Sequence, residues 1–110
     1  LRVEICRRAG KRHIIITSCI HADESEAADI VLPDNNNIVK IKLRCESQKA
    51  VVWTEAGEGY VMAAQDIDLL PYTTEEAGGF VGCTVGMYAS SNGASSSNHA
   101  DFGWLSMQTL

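Results

Sequence analysis

Apolar residues in this chain recur at every second position, in short runs separated by turn residues, and no stretch sustains helical spacing. Leu1, Val3 and Ile5 alternate with Arg2, Glu4 and Cys6, and after Ala9-Gly10 the chain resumes from His13 to Ile20. A period of two sends successive side chains to opposite faces of a strand. With Ala9-Gly10 as a two-residue hairpin turn, Val3 falls opposite Ile16 and Ile5 opposite Ile14, so the apolar faces coincide. In that register Cys6 lies opposite His13.

The pattern continues with interruptions. HADESEAAD, residues 21 to 29, has no strong period and reads as an exposed connection or an irregular edge, with a short helix as the alternative. Ala28 to Leu32 reads as a short strand closed by Pro33, and Asp34-Asn-Asn-Asn37 is turn chemistry, because Asp and Asn hydrogen-bond their own backbone. From Ile38 to Cys45 the alternation is clean, with Val39, Ile41, Leu43 and Cys45 inward and Lys40, Lys42 and Arg44 outward. Ala50 to Thr54 extends the meander, EAGEGY (55 to 60) is the next turn, and Tyr60 to Ala64 the next strand.

Gly79 to Ala89 alternates again, Val81, Cys83, Val85, Met87 and Ala89 against Phe80, Gly82, Thr84, Gly86 and Tyr88. The interior glycines Gly82 and Gly86 suggest close approach of a neighbouring backbone or a ligand. After a Ser/Asn/Gly loop from Ser90 to Asn98, Asp101 to Met107 reads as a further strand. Short strands at regular spacing with turns between them define an antiparallel, all-β, two-sheet sandwich.

A chain of 110 residues is one small domain, long enough to bury a core. The whole of residues 1–110 is read as a single segment. The formal net charge is -5, and no basic stripe is interleaved with aromatics, so nucleic acid is not an expected partner. No apolar run has the length of a helical membrane span, and no membrane partner is expected.

Candidates for chemistry are few. The histidines His13, His21 and His99 stand far apart, and the cysteines Cys6, Cys19, Cys45 and Cys83 form no C-x-x-C pair, which disfavours zinc. The thiols are expected to be reduced, with Cys45 and Cys83 on apolar strand faces as small core residues. Carboxylate pairs such as Asp66 with Asp68 or Glu75 with Glu76 lie in turn-like sequence, without the constellation that glycoside hydrolysis needs. A sugar site needs an aromatic platform with polar groups around it. Trp53, Tyr60, Tyr88, Phe102 and Trp104 could supply it, and Trp53 and Tyr88 are the leading carbohydrate-contact candidates because polar residues flank them.

The run TTEEAGGFVGCTVGMYASSNG, followed near the end by ADFGWLSMQ, resembles the C-terminal concanavalin-A-like β-sandwich of glycoside hydrolase family 43, the β-xylosidases and α-L-arabinofuranosidases. The likeness is continuous from Thr73 to Leu105, and LRVEICRRAGKRHIIIT with IVKIKLRCE matches the same domain more loosely. Two residues depart from the pattern. Gly103 replaces the second acid of a D-F-D triplet, and Leu105 replaces an aromatic.

The resemblance implies a jelly-roll version of the sandwich, of which this chain is an incomplete C-terminal portion, the missing N-terminal part being supplied in cis or as a separate fragment. It implies an accessory domain that packs on and shapes the active site of a catalytic β-propeller, with xylan-type carbohydrate as substrate. The parent reaction would be inverting hydrolysis of terminal β-xylosyl or α-L-arabinofuranosyl residues, and no catalytic residue carries over onto this chain. A free-standing, lectin-like carbohydrate-binding module is the alternative. No cofactor is expected beyond a structural calcium at Asp101, an acid at the start of a terminal strand. Because Gly103 removes a second oxygen ligand, the reading preferred over that ion is that Asp101 accepts a hydrogen bond from a neighbouring turn.

Overall fold

The computed structural model describes residues 1–33, 38–57, 59–72, 85–91 and 93–108. Six strands run in chain order, β1 (Arg2–Arg8), β2 (Lys11–Ile20), β3 (Asp23–Val31), β4 (Lys40–Glu46), β5 (Lys49–Glu55) and β6 (Val61–Asp68), followed by a 3-10 turn at Leu70–Tyr72. They form two three-stranded antiparallel sheets, β1-β2-β3 and β4-β5-β6. The all-β, antiparallel two-sheet fold class is therefore as expected.

The first hairpin has the expected register, with Val3 opposite Ile16, Ile5 opposite Ile14 and Cys6 opposite His13. Its turn places Ala9 at φ 51° and Gly10 at φ 78°. Both central residues of a type I′ turn need positive φ, because only that twist matches the twist of the strands. The same device recurs at His21 and Ala22, and again at Ser47 and Gln48, all with positive φ.

The acidic stretch is a strand rather than a connection or a helix, and β3 absorbs both it and the shorter strand expected from Ala28. Its lack of period has a local cause. Ile16 pairs with Ala28 but Thr17 with Glu26, so Ala27 is an extra residue in a β-bulge. Before the bulge Glu24 and Glu26 point outward, and after it Asp29 does. Ladder hydrogen bonding to β2 overrides the weak strand preference of Asp, Glu and Ala.

The core lies between the sheets. Ile16 of β2 shares one cluster with Ala50 and Val52 of β5 and Ile67 of β6, while Ile14 packs with Leu32 and Ala56 in a second cluster. The sheets meet most closely where β3 packs on β6. The opposite side is open. Ile5 on β1 and Ile41 and Leu43 on β4 face inward by register, yet they are 42%, 41% and 40% exposed. Cys45 shares that face and is exposed too, contrary to the expectation of a small core residue.

The strands expected in the last third are not found among the described residues. Val85 to Ser91 and Gly93 to Gln108 contain no strand, so the strand expected over Asp101 to Met107 is corrected. A strand needs a hydrogen-bonded neighbour, and these residues pair with neither sheet. Their apolar side chains, Val85, Met87, Phe102, Trp104, Leu105 and Met107, are exposed. The Asp34–Asn37 turn, most of the Gly79 to Ala89 strand with Cys83, and Glu75 and Glu76 lie outside the described residues.

Candidate functional site

On the first sheet the outer face is an ionic lattice. Arg8 reaches Glu26 at 2.6 Å and Asp29 at 3.1 Å, His13 Nδ1 stands 2.6 Å from Asp29 Oδ1, and Arg2 bridges Glu4 and Glu24. The carboxyl of Asp29 is held below its usual value, first by the hydrogen bond from His13 and further by the charges of His13 and Arg8, against an opposing desolvation. Beneath these groups Ile15, flanked in register by Glu4 and Asp29, is 1% exposed. The lattice roofs an apolar residue, which is a structural use of charge and of long side-chain stems.

Trp53 belongs to the outer face of the second sheet. Ala50, Val52 and Thr54 point into the core, so parity sends Val51, Trp53 and Glu55 outward. Its cross-strand neighbours are Lys42 on β4 and Met62 on β6. The Lys42 ammonium lies 4.5 Å from the Trp53 ring centroid and 4.6 Å from that of Tyr60, a double cation–π contact. Beside the indole is a depression of about 410 Å³ lined by Arg44, Glu46, Ser47, Lys49, Val51, Trp53 and Met62. Arg44 and Glu46 meet there at 3.0 Å.

Tyr88, the other carbohydrate-contact candidate, is 66% exposed and stands near Arg2, whose pKa it helps raise after the larger effect of Glu4. Arg2 belongs to β1 of the first sheet, whereas Trp53 is on β5 of the second. Asp101 is exposed, with His99 Nε2 3.6 Å from its carboxylate. Among the described residues no three His, Cys, Asp or Glu side chains gather around one point. Asp68 accepts the Leu70 amide at 3.0 Å and Asp66 sits at φ 56° in an irregular part of the β5–β6 ladder, both structural placements. Cys6, Cys19 and Cys45 are free thiols.

Sequence reasoning missed the pairing of Lys42 with two aromatics. The alternation Lys40, Lys42, Arg44 indicated only a solvated face, and the signal that finds more is register, which sets Lys42 directly opposite Trp53.

The fold and surface define a class, an antiparallel two-sheet β-sandwich whose outer face carries an aromatic residue beside charged groups. Residues 1–108 match the family model of the beta xylosidase C-terminal concanavalin A-like domain, and the chain belongs to that family. It is 44% identical over 72 residues to a xylosidase/arabinosidase of Butyrivibrio fibrisolvens, covering 66% of this chain and 14% of that protein. It is 25% identical over 109 residues to the non-reducing end alpha-L-arabinofuranosidase BoGH43B of Bacteroides ovatus, covering 99% of this chain and 18% of that protein. The matched segments thus span less than a fifth of either relative's length. No solved structure matches.

Proposed function

We propose that this chain is a non-catalytic portion of the accessory sandwich of a β-xylosidase or α-L-arabinofuranosidase, packed on a catalytic β-propeller whose active site it helps to shape. The observation that carries the reading is the family match over residues 1–108. It accords with the open side of the sandwich, where Ile5, Ile41 and Leu43 face inward by register and remain in solvent. Apolar residues on an inward face call for a cover, and the rest of the same enzyme, in cis or as a separate fragment, supplies it. Trp53 and Tyr88 are its candidate contacts with xylan-type carbohydrate, and Asp101 a candidate ligand of a structural calcium.

The test is activity on aryl β-xylosides and aryl α-L-arabinofuranosides, for the intact enzyme and for a version lacking residues 1–110. Loss of turnover on deletion, regained when the chain is added back, is the expected result. Undiminished turnover without the chain would end the active-site-shaping role. Strong sugar affinity of the 110 residues alone would instead favour the lectin-like module.

A further inference from the structure

We propose that the depression beside Trp53 on the outer face of the second sheet is a binding subsite for a carboxylate-bearing sugar ring, a uronosyl unit. The inference rests on the reading of this chain as part of a sugar-processing enzyme, and adds the chemical class of sugar and the residues that select it.

The platform is Trp53. The Lys42 ammonium lies 4.5 Å from its ring centroid and 4.6 Å from that of Tyr60, contacts that bias the indole toward this orientation before any ligand arrives. Ordering in advance lowers the entropy lost on binding. Val51 and Met62 extend the apolar floor, against which the C–H face of a sugar ring packs as it does on an aromatic ring.

The rim sets the charge. Arg44 and Lys49 line the depression and Lys42 borders it, while the carboxylates of the same face are Glu46 in the rim, Asp68 opposite Lys49 in the ladder, and Glu55, which pairs with Lys40 at 3.7 Å. Four cations, Lys40, Lys42, Arg44 and Lys49, face three carboxylates, in a chain whose formal net charge is -5. The outer face is thus locally cationic on an acidic protein. Arg44 and Glu46 pair at 3.0 Å, but their side chains are 52% and 62% exposed. An exposed pair of this kind is weak in water, so a ligand carboxylate can replace Glu46 and take the guanidinium in a forked hydrogen bond. Glu46 then becomes free to accept from a ring hydroxyl.

The experiment compares methyl α-glucuronoside with methyl α-glucoside, which share a ring and differ at one carboxylate. Neither is a β-xyloside or an arabinofuranoside, so turnover by the parent reaction does not interfere. Binding to the intact enzyme is followed by calorimetry and tryptophan fluorescence. The glucuronoside is expected to bind about tenfold more tightly than the glucoside, and the preference shrinks in high salt. Arg44→Gln abolishes the preference, and Trp53→Ala weakens binding of both. Equal binding of the two glycosides, or a preference that survives Arg44→Gln, overturns the proposal. Arg44 is exposed, so that variant reads the preference even if Trp53→Ala impairs folding. Absence of glycosidase activity in an enzyme that still shows the Arg44-dependent preference would remove the functional reading and leave the subsite standing.

Discussion

Ile16 of β2 and Val52 of β5 are both completely buried and share one cluster, so the contact between the two sheets runs through this pair. Each is the central inward residue of the central strand of its sheet. Ile16→Ala leaves a cavity that neither sheet can close without moving, and is expected to destabilise the protein by about 2–5 kcal/mol. In the 110-residue chain alone, Ile5→Ala, one strand away and 42% exposed, is expected to cost less than about 1 kcal/mol. Denaturant unfolding of the two variants checks the contrast, and equal costs would mean that the sheets do not meet where the structure has them.

The β1–β2 turn is short of its best sequence. Ala9 is held at φ 51°, a region costly to any residue with a Cβ and least so to Asn or Asp, while Gly10 follows at φ 78°. Ala9→Asn gives the preferred pair for a type I′ turn and is expected to stabilise by up to about 1 kcal/mol. Gly10→Ala meets no neighbouring atom within 4 Å, so its expected cost, about 1 kcal/mol, is backbone strain alone. Thermal unfolding of both variants should move in opposite directions.

In the same hairpin the amino-acid pattern is sufficient to fix the fold locally. Its register follows from Val3, Ile5, Ile14 and Ile16 alone, because a slip of one residue would turn Val3 and Ile5 of β1 away from the face that holds Ile14 and Ile16 of β2. Two things defeated the same logic elsewhere. At Ala27 a bulge shifts the parity, so Glu24, Glu26 and Asp29 share a face that no constant period reveals. For Cys45 and for Asp101 to Met107, parity gives a face but says nothing of cover or pairing, which depend on atoms far away in sequence. The candidate site was legible to the same extent. Polar neighbours singled out Trp53, whereas the Lys42 clasp exists only through the β4–β5 register.

Asp29 ties acid stability to the outer face of the first sheet. Its hydrogen bond from His13, and then the charges of His13 and Arg8, hold its carboxyl below the ordinary value of 3.8. A carboxyl depressed in the folded state stabilises that state above its unfolded value, and the contribution is lost as pH falls from there through the lowered folded value. Stability is therefore expected to fall as pH drops below 3.8. Asp29→Asn should flatten that part of the curve while lowering stability at neutral pH. Unfolding measured from pH 6 downward decides, and an unchanged acid slope in the variant would show that another carboxylate is responsible.

The open side of the sandwich gives the most direct test of the proposed packing of this chain within a larger enzyme. Cys45 follows Ile41 and Leu43 on the inward face of β4, is a free thiol, and is exposed. Cys19, also exposed and free, points to the outer face of the first sheet and serves as an internal control. In the 110-residue chain alone both thiols should react with iodoacetamide at comparable rates, read peptide by peptide in a mass spectrometer. In the intact enzyme a covering polypeptide would slow Cys45 by about tenfold or more, because labelling then waits for local opening, while Cys19 continues to react. Leu43→Ala should follow the same logic, nearly neutral in the fragment and costing about 2 kcal/mol or more where the residue is covered. If Cys45 labels equally fast in both contexts, the β4 face stays in water throughout, and the proposed cover over that face is overturned.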